Sequence, residues 1–243
     1  MYVGLQKTTL VNFPRRVAAA VFLPGCNMRC PYCHNTELAL APPNFIPTNP
    51  QHTYCKIEAV YSFLEKRKSL ISALVISGGE PFMSPVLFEL IHKAKELSLA
   101  IKIDTNGLFP ERLSEVLTSD SLKPDMIALD IKTAIERYGE LLPNMSEKAV
   151  ESSKNALYQT ISILKNSGIE TEYRTVLVPK LVSKKEITGI ASLLPKNAVW
   201  RLAQFVPGVC LNPEWNLLKP YTEQEAQDLL KTAKSIIYDT EIR

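Results

Sequence analysis

No stretch of the 243-residue chain approaches the roughly 20 consecutive apolar residues that a membrane-spanning helix requires. The opening residues, Met1-Tyr2-Val3-Gly4-Leu5-Gln6-Lys7, lack the form of a secretory signal. Charge of one sign is not massed anywhere: 28 Lys and Arg against 25 Asp and Glu leave +3, with the signs interspersed. Nothing in that balance calls for nucleic acid or an anionic membrane surface. Repeats, low-complexity tracts and an interdomain linker are also missing. Cysteine is scarce, five residues in all, and three of the five crowd into positions 26–33. An odd, clustered set excludes a disulfide framework and points instead to a metal or catalytic site in a reducing compartment. With 46% hydrophobic and 22% charged residues the chain is neither disordered nor fibrous. The expectation is a cytoplasmic protein of one domain, 1–243.

What is present is an alternation of β-rich apolar runs with amphipathic stretches of helical length. Strands are expected over 17–23, 73–77, 100–105, 125–130, 171–178 and 199–205. Helices are expected over 56–68, 85–97, 111–117, 150–166, 184–194 and 222–237. Pro110 suits a helix start, Ser167-Gly168 a helix stop, and Thr222 with Glu225 a capping box. An eight-unit closed barrel takes about 250 residues, so six strand-helix units at this length predict an α/β fold built as a partial (β/α)6 barrel. Strand C-terminal ends should then face one cavity. The segment 41–52, with Pro42, Pro43, Pro47 and Pro50, reads as a surface loop because proline removes donors and fixes φ. The connection 132–146 reads as a lid over the strand ends.

The chemistry concentrates in the loop 24–36 after the first expected strand. Cys26, Cys30 and Cys33 offer three soft thiolates from one short loop, enough for three corners of an iron-sulfur cubane with the fourth left open. A structural zinc completed by His34, Cys55 or Cys210 is the competing reading of that loop alone. Further on, Gly78-Gly79-Glu80-Pro81 ends the second expected strand, where paired glycines permit close backbone approach to a ligand and Glu80 adds an acceptor. Asp104, Thr105 and Asn106 end the third, and Asp130 with Lys132 the fourth. Gln204, on the sixth, is expected to face the cavity. Trp200 and Trp215 read as packing residues, and His52 and His92 receive no role.

The spacing Cys26-x3-Cys30-x2-Cys33, with aromatic Tyr32 before the last cysteine, resembles the radical S-adenosylmethionine superfamily. The resemblance implies a four-iron, four-sulfur cluster on the three cysteines and S-adenosylmethionine on its open iron. It places Tyr32 near the adenine and Gly78, Gly79 and Glu80 at the methionyl amino group. Zinc and an interaction module without catalysis form the competing class.

A narrower resemblance covers most of the chain. Segments 10–14, 21–27, 30–35, 104–107, 130–132 and 173–175, with Gln204-Phe205 and Pro207-Gly208, resemble the activating enzymes of glycyl radical proteins, of the anaerobic ribonucleoside-triphosphate reductase activating type. This implies an oxidoreductase that cleaves S-adenosylmethionine to a 5′-deoxyadenosyl radical and takes hydrogen from a glycine of a partner enzyme, with no catalytic residue beyond the cluster ligands. It places Asp130, Lys132 and Arg174 in the S-adenosylmethionine site, with Asp104 and Asn106 beside them. A monovalent cation near Asp104, Thr105 and Asp130 is implied too, the competing reading being carboxylates neutralised by Lys102 and Lys132. Implied partners are a glycyl radical enzyme and a low-potential electron donor of flavodoxin or ferredoxin type. The alternative keeps the radical chemistry and changes the substrate to a small molecule or peptide, a reading that Arg29, Lys102, Lys132, Arg174 and Arg201 favour if they converge.

Overall fold

The computed structural model describes residues 1–42, 45–47 and 54–243, so Pro43, Pro50 and His52 lie outside the described residues. It is an α/β fold whose strands run mostly parallel, in two compact units. The first comprises Met1–Asn27, Glu37–Thr105 and Glu111–Ile127, and the second Met28–Thr36, Asn106–Pro110 and Ala128–Arg243.

In the first unit β1 (Tyr2–Thr9) pairs antiparallel with β2 (Ala18–Leu23). Helix α1 (Thr36–Leu40) follows, and then β3 (Tyr54–Lys56), which lies antiparallel on the other side of β1. After α2 (Ile57–Arg67), β4 (Ala73–Gly78) runs parallel to β2. Helix α3 (Leu87–Glu96) leads to β5 (Ala100–Thr105), parallel to β4, and α4 (Pro110–Thr118) leads to β6 (Met126–Asp130). Strand β2 is buried on both faces, as a parallel strand requires, which is why it reads as an unbroken apolar run. Its alanines belong to a cluster in which Ala18, Ala20, Ala73, Val75, Ala100 and Met126 close round Phe13. Strands β1 and β3 had no counterpart in the expected set. One is half polar and the other has three residues, too few for a periodicity to show.

In the second unit α5 (Glu147–Ser167) starts at Ser146, whose hydroxyl accepts from the Ala149 amide, and stops at Gly168 with φ of 68°. The C-cap glycine supplies the left-handed conformation expected of Ser167-Gly168. Strand β7 (Glu170–Leu177), α6 (Lys184–Leu193), β8 (Val199–Gln204), α7 (Glu223–Lys234) and β9 (Thr240–Ile242) complete it. Strands β7, β8 and β9 are consecutive and parallel. Capping boxes at Ser183 with Glu186 and at Thr222 with Glu225 set the starts of α6 and α7.

The connection 132–146 is packed rather than free. It holds a 3-10 helix, Ile135–Leu141, with Tyr138 and Leu141 fully buried. Thr133 Oγ1 donates to the Leu181 carbonyl at 2.7 Å, and Arg137 to Lys180 and Leu181 carbonyls. Those bonds fix the segment that the sequence suggested as a lid.

Candidate active site

In the first unit Pro24 and Gly25 carry the chain from β2 to Cys26. The Gly79 amide donates to the Leu23 carbonyl at 2.9 Å and the Glu80 amide to the Gly25 carbonyl at 2.8 Å. A Cβ on Gly79 would overlap the Gly25 carbonyl, and one on Gly78, whose φ is +121°, would overlap the Leu23 backbone. The close approach for which these glycines are needed is therefore chain against chain, bracing the strand that delivers Cys26. Glu80 is fully buried. Its Oε1 accepts from the Phe82 amide at 3.1 Å and from Thr105 Oγ1 at 2.8 Å, so it caps the turn Pro81–Met83 and grips the end of β5. Asp104 sits beside Thr105, its Oδ1 2.9 Å from the ammonium of buried Lys102.

In the second unit the loop Met28–Thr36 is tied at several points. The Arg29 amide donates to the Leu141 carbonyl at 2.9 Å, and the Asn212 amide to the Pro31 carbonyl at 2.9 Å. His34 Nε2 lies 2.7 Å from the Val206 carbonyl, which can only accept, so that nitrogen carries a proton. Between these ties the Cys33 amide bonds the Cys30 carbonyl at 3.0 Å, bringing the two thiols onto one turn. Tyr32 is buried and stacks on Trp215, ring centroids 6.4 Å apart. Its hydroxyl is buried without a hydrogen-bond partner, and burial pushes its pKa well up.

Asp130 and Lys132 end β6 as expected, and Arg174 of β7 meets them. Asp130 Oδ1 accepts from Arg174 Nε at 2.7 Å and Oδ2 from Lys132 Nζ at 2.8 Å. Burial alone would raise the Asp130 pKa, but the two cations more than offset it and hold the group well below the carboxylate range. Burial likewise opposes the charge on Lys132, and the opposite charge of Asp130, with smaller effects from Tyr32 and Cys30, raises its pKa regardless. The register between β6 and β7 is pinned by the Ile131 amide on the Arg174 carbonyl and by Thr175 Oγ1 on the Ile131 carbonyl, both at 2.8 Å. Trp200 Nε1 donates to the same Thr175 hydroxyl at 3.1 Å, the packing role expected of that tryptophan.

The Asn106 Oδ1 accepts from the Leu108 amide at 3.0 Å, closing the turn at Gly107. Gln204 is paired with Leu177 in the β7–β8 register, on the face of Trp200 and Leu202 rather than that of Arg174, because strand side chains alternate. Cys210 is buried, and burial, with a smaller contribution from Cys33, pushes its thiol up. All five cysteines are free of disulfides. Among the described residues, no three His, Cys, Asp or Glu side chains are already gathered as a metal-binding group.

The Radical SAM superfamily model matches residues 20–188. The chain belongs to the radical SAM superfamily. A Methanocaldococcus jannaschii protein bearing the name of a glycyl-radical enzyme activating enzyme is 30% identical over 242 residues, 99% of this chain and 94% of its own length. A pyruvate formate-lyase-activating enzyme of Clostridium pasteurianum is 24% identical over 79% of this chain and 74% of its own. Among solved structures, TYW1 with a lysine-pyruvate adduct bound shares the fold at a TM-score of 0.60, with 16% identity, over 90% of this chain and 73% of its own. This radical SAM chain is thus an oxidoreductase-type enzyme of a family that uses a four-iron, four-sulfur cluster and S-adenosylmethionine.

Sequence reasoning missed the contribution of Trp215, Tyr138 and Leu141 to this radical SAM loop. Trp215 lies in the 3-10 turn Pro213–Leu217, and no periodic pattern marks so short an element.

Proposed function

We propose that the chain cleaves S-adenosylmethionine reductively and takes a hydrogen atom from a glycine of a partner glycyl radical enzyme, of the anaerobic ribonucleotide reductase kind. Cys26, Cys30 and Cys33 would hold the four-iron, four-sulfur cluster. The donor set suits it: three sulfurs free of disulfides on one short loop, with the Lys132 cation acting on Cys30. Bound by these residues, the cluster would supply the one electron that reductive cleavage of the sulfonium requires.

The observation that carries the reading is the array Arg174, Asp130 and Lys132, in which two cations share one carboxylate. The surplus positive charge suits the carboxylate of the methionyl group, the part of S-adenosylmethionine that must be held still while the carbon-sulfur bond breaks. Tyr32, buried beside that array with an unpartnered hydroxyl, would pack near the adenine. Gly78, Gly79, Glu80 and Asp104 would complete the methionyl end, and Asn106 would act through the Gly107 turn. The monovalent cation has internal competitors at two of the oxygen donors named for it, Asp104 and Asp130, so no step is assigned to it.

A protein partner is favoured over an anionic small molecule. Lys102 and Arg201 each have a carboxylate of their own, and the one positive charge that Lys132 and Arg174 leave over on Asp130 is taken by the methionyl carboxylate, so these four cations leave little to seat a second anion. Exposed Val206, Val209 and Leu217 belong instead to the segment that receives His34, the kind of apolar surface a protein covers. A flavodoxin- or ferredoxin-like donor and a cytoplasmic, anaerobic setting go with the proposal; nucleic acid and membrane have no part in it. No helix among the described residues is long and apolar enough to cross a membrane.

The experiment is anaerobic. The protein is reconstituted, reduced and mixed with S-adenosylmethionine and an anaerobic ribonucleotide reductase, and the paramagnetic resonance spectrum is recorded with the 5′-deoxyadenosine yield. A glycyl radical doublet on the reductase supports the reading. Deoxyadenosine without the doublet would move the substrate to a small molecule or peptide.

A further inference from the structure

Strand β5 of the first unit carries Ala100, Lys102 and Asp104 on one face and Ile101, Ile103 and Thr105 on the other, all of them buried except Asp104. Ala100 belongs to the alanine-rich cluster around Phe13, and two residues on, at the period of a strand, the same face presents Lys102. Lys102 is only 1% exposed. A lysine is almost never buried so fully unless its charge is matched, because stripping water from an ammonium costs far more than the stem returns. Its Nζ donates to the Asn12 carbonyl at 2.8 Å and forms an ion pair with Asp104 Oδ1 at 2.9 Å.

Asp104 is one of the oxygen donors expected to hold an alkali ion, together with Thr105 and Asp130. The two carboxylates among them already face cations of the chain. Asp104 carries a full positive charge in contact, and Thr105 donates its hydroxyl to Glu80. Asp130 is shared by Lys132 and Arg174. An alkali ion is attracted to oxygen donors by their net negative charge, and a contacting ammonium removes that attraction from Asp104.

We propose that Lys102 stands in place of the alkali cation: its ammonium neutralises and orients Asp104, anchoring that carboxylate to the turn at Asn12, so that this chain needs no monovalent ion there. Lys102 is a positioning residue that acts through Asp104. The use made of Asp104 rests on the proposed function, whereas the ion pair itself is read without S-adenosylmethionine.

The test is thermal unfolding of the reconstituted protein at fixed ionic strength, with potassium replacing tetramethylammonium, followed by S-adenosylmethionine binding in the same two salts. The wild type should show the same Tm in both, with affinity changing less than about twofold. In Lys102→Met the bared carboxylate should recruit potassium, so Tm rises with that ion, and affinity, down about tenfold in tetramethylammonium, recovers with it. The double variant Lys102→Met with Asp104→Asn buries no lone charge, so it should fold and ignore the salt. A wild type stabilised by potassium as strongly as the variant overturns the proposal, as does a folded Lys102→Met indifferent to potassium. If Lys102→Met does not fold, the double variant must, and its failure also overturns it. A potassium response in Tm confined to Lys102→Met, with no S-adenosylmethionine binding by the wild type in either salt, would uphold the ion pair and count against the proposed function instead.

Discussion

The ring of Tyr32 lies 25° from parallel to that of Trp215, centroids 6.4 Å apart, and Lys180 Nζ stands 5.9 Å from the Trp215 centroid. The cysteine loop is thereby braced by an aromatic residue almost two hundred positions away in the chain. Removing Trp215 takes away the stack and leaves Tyr32 without that wall. Trp215→Ala should cost about 1–3 kcal/mol of stability, part of it the aromatic pair term. Iron retained per chain after reconstitution should fall, while Trp215→Phe keeps most of both. Equal iron content in Trp215→Ala and wild type would contradict a bracing role.

Cys30→Ala should abolish cluster assembly, measured as iron and acid-labile sulfide, and S-adenosylmethionine cleavage with it. Cys210→Ala should leave both near wild type, since that thiol is a buried packing group. Retained cleavage in Cys30→Ala would sink the ligand assignment.

Asp130→Asn leaves Lys132 and Arg174 facing each other without the carboxylate that joins them. The side chains are half-buried, so the loss should be about 1–3 kcal/mol, less than for a fully buried pair. Denaturant unfolding measures it. The same variant should weaken S-adenosylmethionine binding, because neither cation is then held in place.

Gly79→Ala puts a methyl group onto the Gly25 carbonyl, where backbone and not a flexible side chain must move. The β2 exit should shift, with a loss of about 2–4 kcal/mol and incomplete cluster loading. Gly208→Ala is a control: its φ is also positive, at 123°, but nothing crowds a Cβ there, so any loss reflects backbone strain alone.

Glu186 at the start of α6 gives a pH prediction. Burial works to raise its pKa, but hydrogen bonds from the Ser183 hydroxyl and amide, with Arg137 3.7 Å away, hold it below the ordinary 4.5. A carboxyl lowered in the folded state adds stability that is complete above its unfolded value and drains away as pH falls through the folded one. Wild type should therefore lose stability more steeply than Glu186→Gln below about pH 4.5. Parallel curves for the two proteins would remove Glu186 from that account.

Sequence by itself determined the parallel core and the chemistry. Continuous apolar runs mark β2, β4 and β6, because strands buried on both faces have no polar side to show. Cap residues Ser167-Gly168 and Thr222 with Glu225 mark helix ends because they act within one turn of backbone. Cys26, Cys30 and Cys33 stand out in the sequence because three thiols within eight residues are a local fact. Tertiary structure decided what reaches across the chain. Asp130 meets Arg174 only because β7 runs into place beside it, and the bracing of Tyr32 by Trp215 joins segments that share no pattern. The sequence shows that Gly78 and Gly79 allow a close approach, and packing shows that the space a side chain would need there is taken by Leu23 and Gly25. The sequence left Asp104 open between an alkali ion and Lys102, and packing puts the buried Lys102 ammonium 2.9 Å from it. In each case the deciding quantity is which neighbour occupies a few ångströms of space, and that is set by packing between distant residues, not by the order in which they are joined.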